Sequence, residues 1–343
     1  NGGVKTCMDK QQYASSPNFE NGKFKNLLPT SMSMSAKDMM KTLAGFIAGG
    51  EDRAPKEKIQ VRHPDPAEIA SPNGSTRLVW FGHSAFLLQI DGKNLLIDPM
   101  FGSTPAPYPW MGRSRFTDGL PIAIADLPQI DAVLLSHDHY DHLDHGSIKA
   151  LKAKTKEFFV PLGVGLHLRA WGIEASRIHE LDWWDEADHE GLHFAFTPAR
   201  HFSGRRHTDR FSTLWGGWVI RGKKDNIYFS ADSGYGPHFA EIGAKYGPFD
   251  FAMIECGQYN EKWADIHMMP EESAQAALDV RAKVMMPIHW GSFVLAMHSW
   301  TDPVERVTKK ADELGMPIIT PRIGDVIALD ALGGFHERWW REG

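Results

Sequence analysis

The densest chemistry in this chain stands between positions 137 and 144, in His137-Asp-His139-Tyr-Asp141-His142-Leu-Asp144. Three imidazoles and a carboxylate so close together offer nitrogen and oxygen donors at a spacing suited to a metal site. Single candidates recur elsewhere in one kind of place. His201 follows Phe196-Thr-Pro198-Ala-Arg200, Asp232 follows Ile227-Tyr-Phe-Ser-Ala231, and His289 follows Val284-Met-Met-Pro-Ile288. Each apolar run reads as a strand, so each polar residue stands just past a strand end. Taken singly, a histidine after a strand is most often a plain hydrogen-bonded side chain. Delivered from the same ends of several strands, these groups can converge on one cavity. Five His and two Asp are then an inventory for two metals. One metal falls to His137, His139 and His201, the other to Asp141, His142 and His289, with Asp232 shared. Two cations about 3.5–4 Å apart can acidify a common water to hydroxide at neutral pH.

Something must aim those groups. The apolar run 132–135 reads as a buried strand feeding the histidine cluster, and from Thr76 onward the texture is β. Strands are expected at 76–81 and 85–90, with a hairpin turn at Asp91-Gly92 leading into 94–97. More follow at 157–160, 192–196, 214–220, 226–230 and 249–255, and 316–319 with 325–329 closes the sheet. Helices are read at 146–153, 163–171, 237–245 and 270–280. Strands and helices that do not alternate strictly suggest an α+β fold with two sheets and helices outside. Residues 1–75 read as an N-terminal arm with a short helix packed on a single domain, 76–343. That helix is expected at 35–48, where Met39, Met40, Leu43, Phe46 and Ile47 share a face that could dock on the core or touch a lipid. The long Pro- and Gly-rich loop 101–128 is of the kind that serves a site or a lid.

Composition narrows the field. The chain has 343 residues, 42% hydrophobic and 23% charged, enough to build an ample core. A net charge of -6 and a pI near 6.3 argue against a nucleic-acid binder working through a basic face. With two cysteines there is neither a disulfide framework nor a Cys-rich zinc site, so His and carboxylates must hold any metal. Twelve Trp and 19 Phe suit either core or a partly apolar pocket. No apolar run is long enough to span a bilayer. Arg205 and Arg206 read as solvated surface groups rather than site residues.

The motif and its distant partners resemble the metallo-β-lactamase superfamily, whose pattern H-x-H-x-D-H, then His, Asp and His, is matched at all seven positions. More narrowly, the chain is similar to the N-acylphosphatidylethanolamine-hydrolysing phospholipase D branch and its bacterial relatives. Trp80-Phe-Gly82-His83, Ile97-Asp98-Pro99, Ala231-Asp232-Ser233-Gly234-Tyr235, His267-Met-Met-Pro270 and Ile288-His289-Trp290-Gly291 carry that likeness. The resemblance implies an αββα four-layer sandwich and a dinuclear hydrolase whose two divalent ions are zinc, with manganese or iron also able to bind. It implies the seven ligands named above, with Asp98 and His83 orienting ligand side chains. Asp141 and His267 are the candidate catalytic groups; His267 would contact a substrate phosphate, with capping of the helix near Pro270 as the other reading. The implied partner is a small-molecule or lipid phosphodiester met at a membrane surface, with no nucleic acid. The implied compartment is the cell envelope, the chain having the look of one trimmed at its start. Lactone or β-lactam hydrolysis is the alternative on the same site, and a non-catalytic metal-binding protein is the remoter one.

Overall fold

A computed structural model of the chain describes residues 13–31, 40, 52–70, 74–108, 110, 112–206 and 208–342. The helix expected at 35–48, with Met39, Leu43, Phe46 and Ile47, lies outside the described residues; Met40 alone is described, helical and exposed. The arm opens with a small antiparallel ribbon, β1 (Phe19–Glu20) and β2 (Lys23–Phe24). Tyr13 and Phe24 are buried, with Phe19 packed between them, so aromatic burial fastens this short ribbon to the core. A short helix, α1 (Pro66–Ala70), follows.

The first sheet is built from β3 (Arg77–Trp80), β4 (Phe86–Ile90), β5 (Lys93–Ile97), β6 (Ile130–Leu134), β7 (Thr155–Pro161) and β8 (Ile178–Leu181). The second takes β9 (Glu186–His189), β10 (Leu192–Thr197), β11 (Gly217–Arg221), β12 (Asn226–Phe229), β13 (Phe251–Glu255) and β14 (Met285–Ile288) in the order β14-β13-β12-β11-β10-β9. The last strand, β15 (Val326–Ala328), returns to the first sheet beside β3. Side-chain alternation divides the core. Leu78, Trp80, Phe86 and Leu88 face the second sheet's Phe194, Phe196 and Trp218 in one apolar body. Val79, Phe81, Leu87 and Val133 face the opposite way, onto helices α2 (His145–Leu151) and α3 (Gly165–Ala170). Helices α4 (His238–Tyr246), α5 (Pro270–Asp279) and α6 (Asp302–Leu314) add Phe239, Ile242, Ala274, Ala277, Val304 and Val307 to the core body of the second sheet. The architecture is the expected α+β sandwich.

Three differences from the sequence reading have simple causes. Helix α6 was not expected, although Pro303 near its start and Gly315 just past its end, at φ +68°, bracket it in the usual way. The edge strands β8 and β9 carry His179, Glu180, Asp188 and His189, whose polarity hides them from a search for apolar runs. Residues 316–319 make a single bridge, Met285 to Ile318, rather than a strand.

What this fold offers chemistry is a common edge. Strands β5, β6 and β7 run parallel, as do β12, β13 and β14. Their carboxyl ends therefore open at one edge, where ligands bind in parallel-stranded α/β sheets. Trp80, Trp215 and Trp218 belong to the core, and their indole N–H groups pin the loops at that edge. Trp80 Nε1 donates to His83 O at 3.0 Å, Trp218 Nε1 to Leu135 O at 2.9 Å and Trp215 Nε1 to Ala199 O at 3.0 Å. Each accepting carbonyl lies on or near a loop that carries a candidate ligand. Trp218→Phe keeps the ring but strands a buried carbonyl, so chemical denaturation should show a loss of about 1–3 kcal/mol. Trp218→Ala also opens a cavity and should lose about 3–5 kcal/mol.

Candidate metal centre

The seven expected ligands meet at this edge. His137, His139, Asp141 and His142 leave β6, His201 lies four residues past β10, Asp232 three past β12, and His289 directly follows β14. Among the described residues three groups have donor atoms all within 4.8 Å of one another: His137, His139, His201 and Asp232; His83, Asp141, His142 and His289; and, overlapping both, Asp232, Glu255, His267 and His289. Asp232 touches the first two. Its Oδ2 stands 3.7 Å from His137 Nε2, 3.8 Å from His201 Nε2 and 3.2 Å from His142 Nε2, and its Oδ1 is 3.0 Å from His289 Nδ1.

His139 Nδ1 lies 2.9 Å from His137 Nε2 and 3.2 Å from His201 Nε2, yet the cluster does not satisfy all its members. His142 Nε2 and Asp232 Oδ1 are buried without a hydrogen-bond partner. A buried polar atom left in that state costs roughly 1–3 kcal/mol. Two orphaned buried donors amid converging imidazoles and carboxylates are what a shared cation would satisfy, and the donor set fits a metal centre. The proton balance agrees. Burial, helped by neighbouring imidazoles, holds His137, His201 and His289 well below the usual histidine range, so they are neutral and able to bind a cation. Burial likewise lowers His139 to about 4, against the pull of Asp138 and Asp141. Burial raises Asp232 to about 6, opposed by His142. Among the five ligand histidines only His142 is raised, because Asp232 and Asp141 outweigh its burial.

The supporting contacts are specific. Asp98, fully buried after β5, accepts from Ser136 N at 2.8 Å and His142 Nδ1 at 2.7 Å. Ser136 Oγ lies 2.9 Å from His137 Nδ1, so one carboxylate serves both groups. His83 Nε2 sits 2.8 Å from Asp141 Oδ2, close enough to orient that carboxylate. His201 Nδ1 bonds the Ile266 carbonyl at 2.9 Å. Asn26 from the arm brackets His201, donating to its carbonyl at 2.7 Å and accepting from its N–H at 3.1 Å.

His267 does not cap α5; Glu272 accepts from Met269 N there instead. Its Nδ1 lies 2.9 Å from Glu255 Oε2, and its ring is parallel to that of His289 at 17° with centroids 5.3 Å apart. Burial pushes the Glu255 carboxyl well above its ordinary value, opposed by the Ser233 and Met268 amides. The sequence reading missed Glu255, though it ends an apolar strand just as the ligands follow theirs. It also missed Asp138, which accepts from Gly204 N at 2.7 Å and faces His167 at 3.3 Å. Arg205 needs correcting: it is 6% exposed, donates to the carbonyls of Asp138 and Leu143 at 2.7 Å, and lies 3.9 Å over the Tyr140 ring. The cation–π contact and the two carbonyls draw it inside. Arg206 is exposed as expected.

A profile of the beta-lactamase superfamily domain matches residues 93–290, which span β5 to β8 of the first sheet, all six strands of the second and the seven expected ligands. The chain belongs to the metallo-β-lactamase superfamily. Within it, an uncharacterised protein of Mycobacterium tuberculosis is 40% identical over 336 residues, 95% of this chain and 88% of that protein. The N-acyl-phosphatidylethanolamine-hydrolyzing phospholipase D 1 of Caenorhabditis elegans is 32% identical over 226 residues, 62% of this chain and 63% of its own. Among solved structures, Igni18, a metallo hydrolase of Ignicoccus hospitalis, shares the fold with a TM-score of 0.57 at 22% identity, over 74% of this chain and 97% of that one. The chain is a metal-dependent hydrolase of the metallo-β-lactamase superfamily.

Two measurements probe the centre. Asp98→Ala frees Ser136 and His142 together and should weaken metal binding about 10–100-fold, as loss of a ligand's orienting partner does, read by equilibrium dialysis. His142 holds a proton that a cation must displace, so binding should tighten as pH rises and release protons. Titration calorimetry in buffers of different ionisation enthalpy reads that release, and a buffer-independent heat would contradict it.

Proposed function

We propose that this metallo-β-lactamase superfamily hydrolase is a two-metal phosphodiesterase acting on an N-acylphosphatidylethanolamine-type lipid. The observation that carries the reading is Asp232, whose two oxygens lie within 3.8 Å of imidazoles from both groups and so join two cation positions into one centre. His137, His139 and His201 hold one divalent ion, Asp141, His142 and His289 the other, and Asp232 belongs to both. Imidazole and carboxylate donors without thiolate suit zinc, and accept manganese or iron. Bound there, the ions supply Lewis-acid stabilisation of phosphoryl charge and acidify water.

The chain's own groups do the rest. Asp98 and His83 hold His142 and Asp141 in place, so that the donors need not reorganise during reaction. His267, turned by Glu255 and stacked on His289, presents an imidazole edge to a phosphoryl group at the centre. The likeness to the Caenorhabditis elegans phospholipase, 32% over 226 residues, supports a lipid phosphodiester over a lactone. Exposed apolar groups support contact with a lipid surface: Trp110 is 79% exposed, Met40 73% and Leu27 55%.

Purified, zinc-loaded protein assayed on N-acylphosphatidylethanolamine, bis-p-nitrophenyl phosphate and lactones tests this reading. Turnover of both diesters is expected, with N-acylethanolamine and phosphatidate as the lipid products; activity on lactones alone would sink it. Asp232→Asn weakens both cation positions at once and should lower diester turnover at least about 100-fold, the scale of losing one electrostatic contributor.

A further inference from the structure

Each cation position has its donors without His267 or Glu255, yet the two form a bonded pair whose donor atoms lie within 4.8 Å of those of Asp232 and His289. Glu255 ends β13 and its side chain is 0% exposed. Its Oε1 accepts from Ser233 N at 2.8 Å and Met268 N at 3.1 Å, and its Oε2 faces His267 Nδ1 at 2.9 Å. Ser233 follows Asp232 and Met268 follows His267, so one carboxylate ties the shared ligand's loop to the histidine's loop. The His267 ring packs against one histidine from each half of the centre, parallel to His289 and edge-on to His201 at 5.0 Å. It also reaches the opening: its side chain is 12% exposed, whereas His137, His142, His201 and His289 are at most 1% exposed. With Nδ1 committed to Glu255, Nε2 is the nitrogen left for substrate.

A phosphate contact alone would not require that arrangement, since any donor of suitable reach could serve. A proton donor does require it, because the ring must hold one tautomer and one orientation throughout. We propose that His267 Nε2–H protonates the departing alcohol oxygen of the phosphodiester, and that Glu255 is the positioning residue that makes this transfer possible. The proposal rests on the phosphodiesterase reading. In the step, the oxygen of water bonds to phosphorus and the bond from phosphorus to the alcohol oxygen breaks. That oxygen leaves with the proton of His267 Nε2 as the Glu255 carboxyl passes its Oε2 proton to Nδ1 across the 2.9 Å contact, and the proton shed by the attacking water restores the pair through solvent. The products are a phosphomonoester and a neutral alcohol.

Leaving-group dependence distinguishes this role from simple phosphate binding, because p-nitrophenolate departs without a proton and an alkoxide does not. The zinc-loaded full chain, Glu255→Gln, His267→Gln and the double variant are assayed on N-acylphosphatidylethanolamine in mixed micelles and on bis-p-nitrophenyl phosphate. Either single variant should lower kcat on the lipid at least about 100-fold, within the range for general acids, with a loss on the aryl diester at least about tenfold smaller. KM should move less than about threefold, and the double variant should be no worse than His267→Gln alone, since residues acting as one unit are not additive. In the metal-free protein, a downfield resonance of the proton held between Glu255 and His267 Nδ1 should be present in the wild type, lost in His267→Gln and shifted upfield in Glu255→Gln. Equal losses on the two diesters, an additive double variant, or no such resonance would each overturn the proton-donor role while leaving the phosphodiesterase reading intact. Should Glu255→Gln fail to fold, the leaving-group contrast of His267→Gln decides alone. Hydrolysis of neither diester by the wild type would overturn both.

Discussion

Buried carboxylates with no lysine or arginine paired to them govern the open edge of this sandwich. Asp98, Asp138, Asp232 and Glu255 are all at most 3% exposed, and among the described residues none of them pairs with a lysine or arginine; their ionic neighbours are histidines. Burying a carboxylate is costly unless it is hydrogen-bonded and paired. The chain meets the first need with the amides of Ser136, Gly204, Ser233 and Met268. The second falls to histidines, of which His142 is raised to carry a proton beside Asp98 and Asp232. The carboxylates that orient ligands matter as much to the edge as those placed to bind.

Holding such an edge in shape falls to groups outside it. Indole N–H groups from Trp80, Trp215 and Trp218 fasten three loops, each by one backbone carbonyl. Two buried arginines do the same with forked donors: Arg205 for Asp138 and Leu143, Arg115 for Phe81, Met100 and Gly102. Arg115 comes from the long loop 101–128, which therefore carries a fastening for the site's walls. Asn26 adds a clasp from the arm to the backbone of His201. Aromatic and guanidinium groups suit this work, since one end can be packed in the core while the other meets a carbonyl.

Legibility from sequence followed the physics of each feature. The ligands could be read because metal donors come from few residue types and here stand just past apolar strands, which announce themselves. His83 and Asp98 were legible through resemblance, and the structure places both against candidate ligands. Glu255 and Asp138 escaped because a lone carboxylate beside a strand or inside a motif has no pattern of its own; their roles appear only when distant loops close around them. Arg205 was misjudged for the same reason, a basic stretch looking solvated until Tyr140 folds beneath it. The strands β8 and β9 were lost to their polar composition, while α6 carried helix signals at both ends that went unread.

The backbone itself records what the centre demands. His83, Asp98, Ala231 and His289 all have positive φ, between 40° and 67°, a region that side chains with a Cβ enter at a cost of order 1 kcal/mol each. Each turn swings a strand's exit back toward the metals. Glycine would relieve that cost most readily at Ala231, whose side chain is a methyl group, and would make the fold easier to form. It would also let the Asp232 carboxylate wander between the two half-sites it joins. At this position selection for robustness and selection for turnover pull in opposite directions, and a variant that survives heating better would be the one to suspect of binding its metals less well.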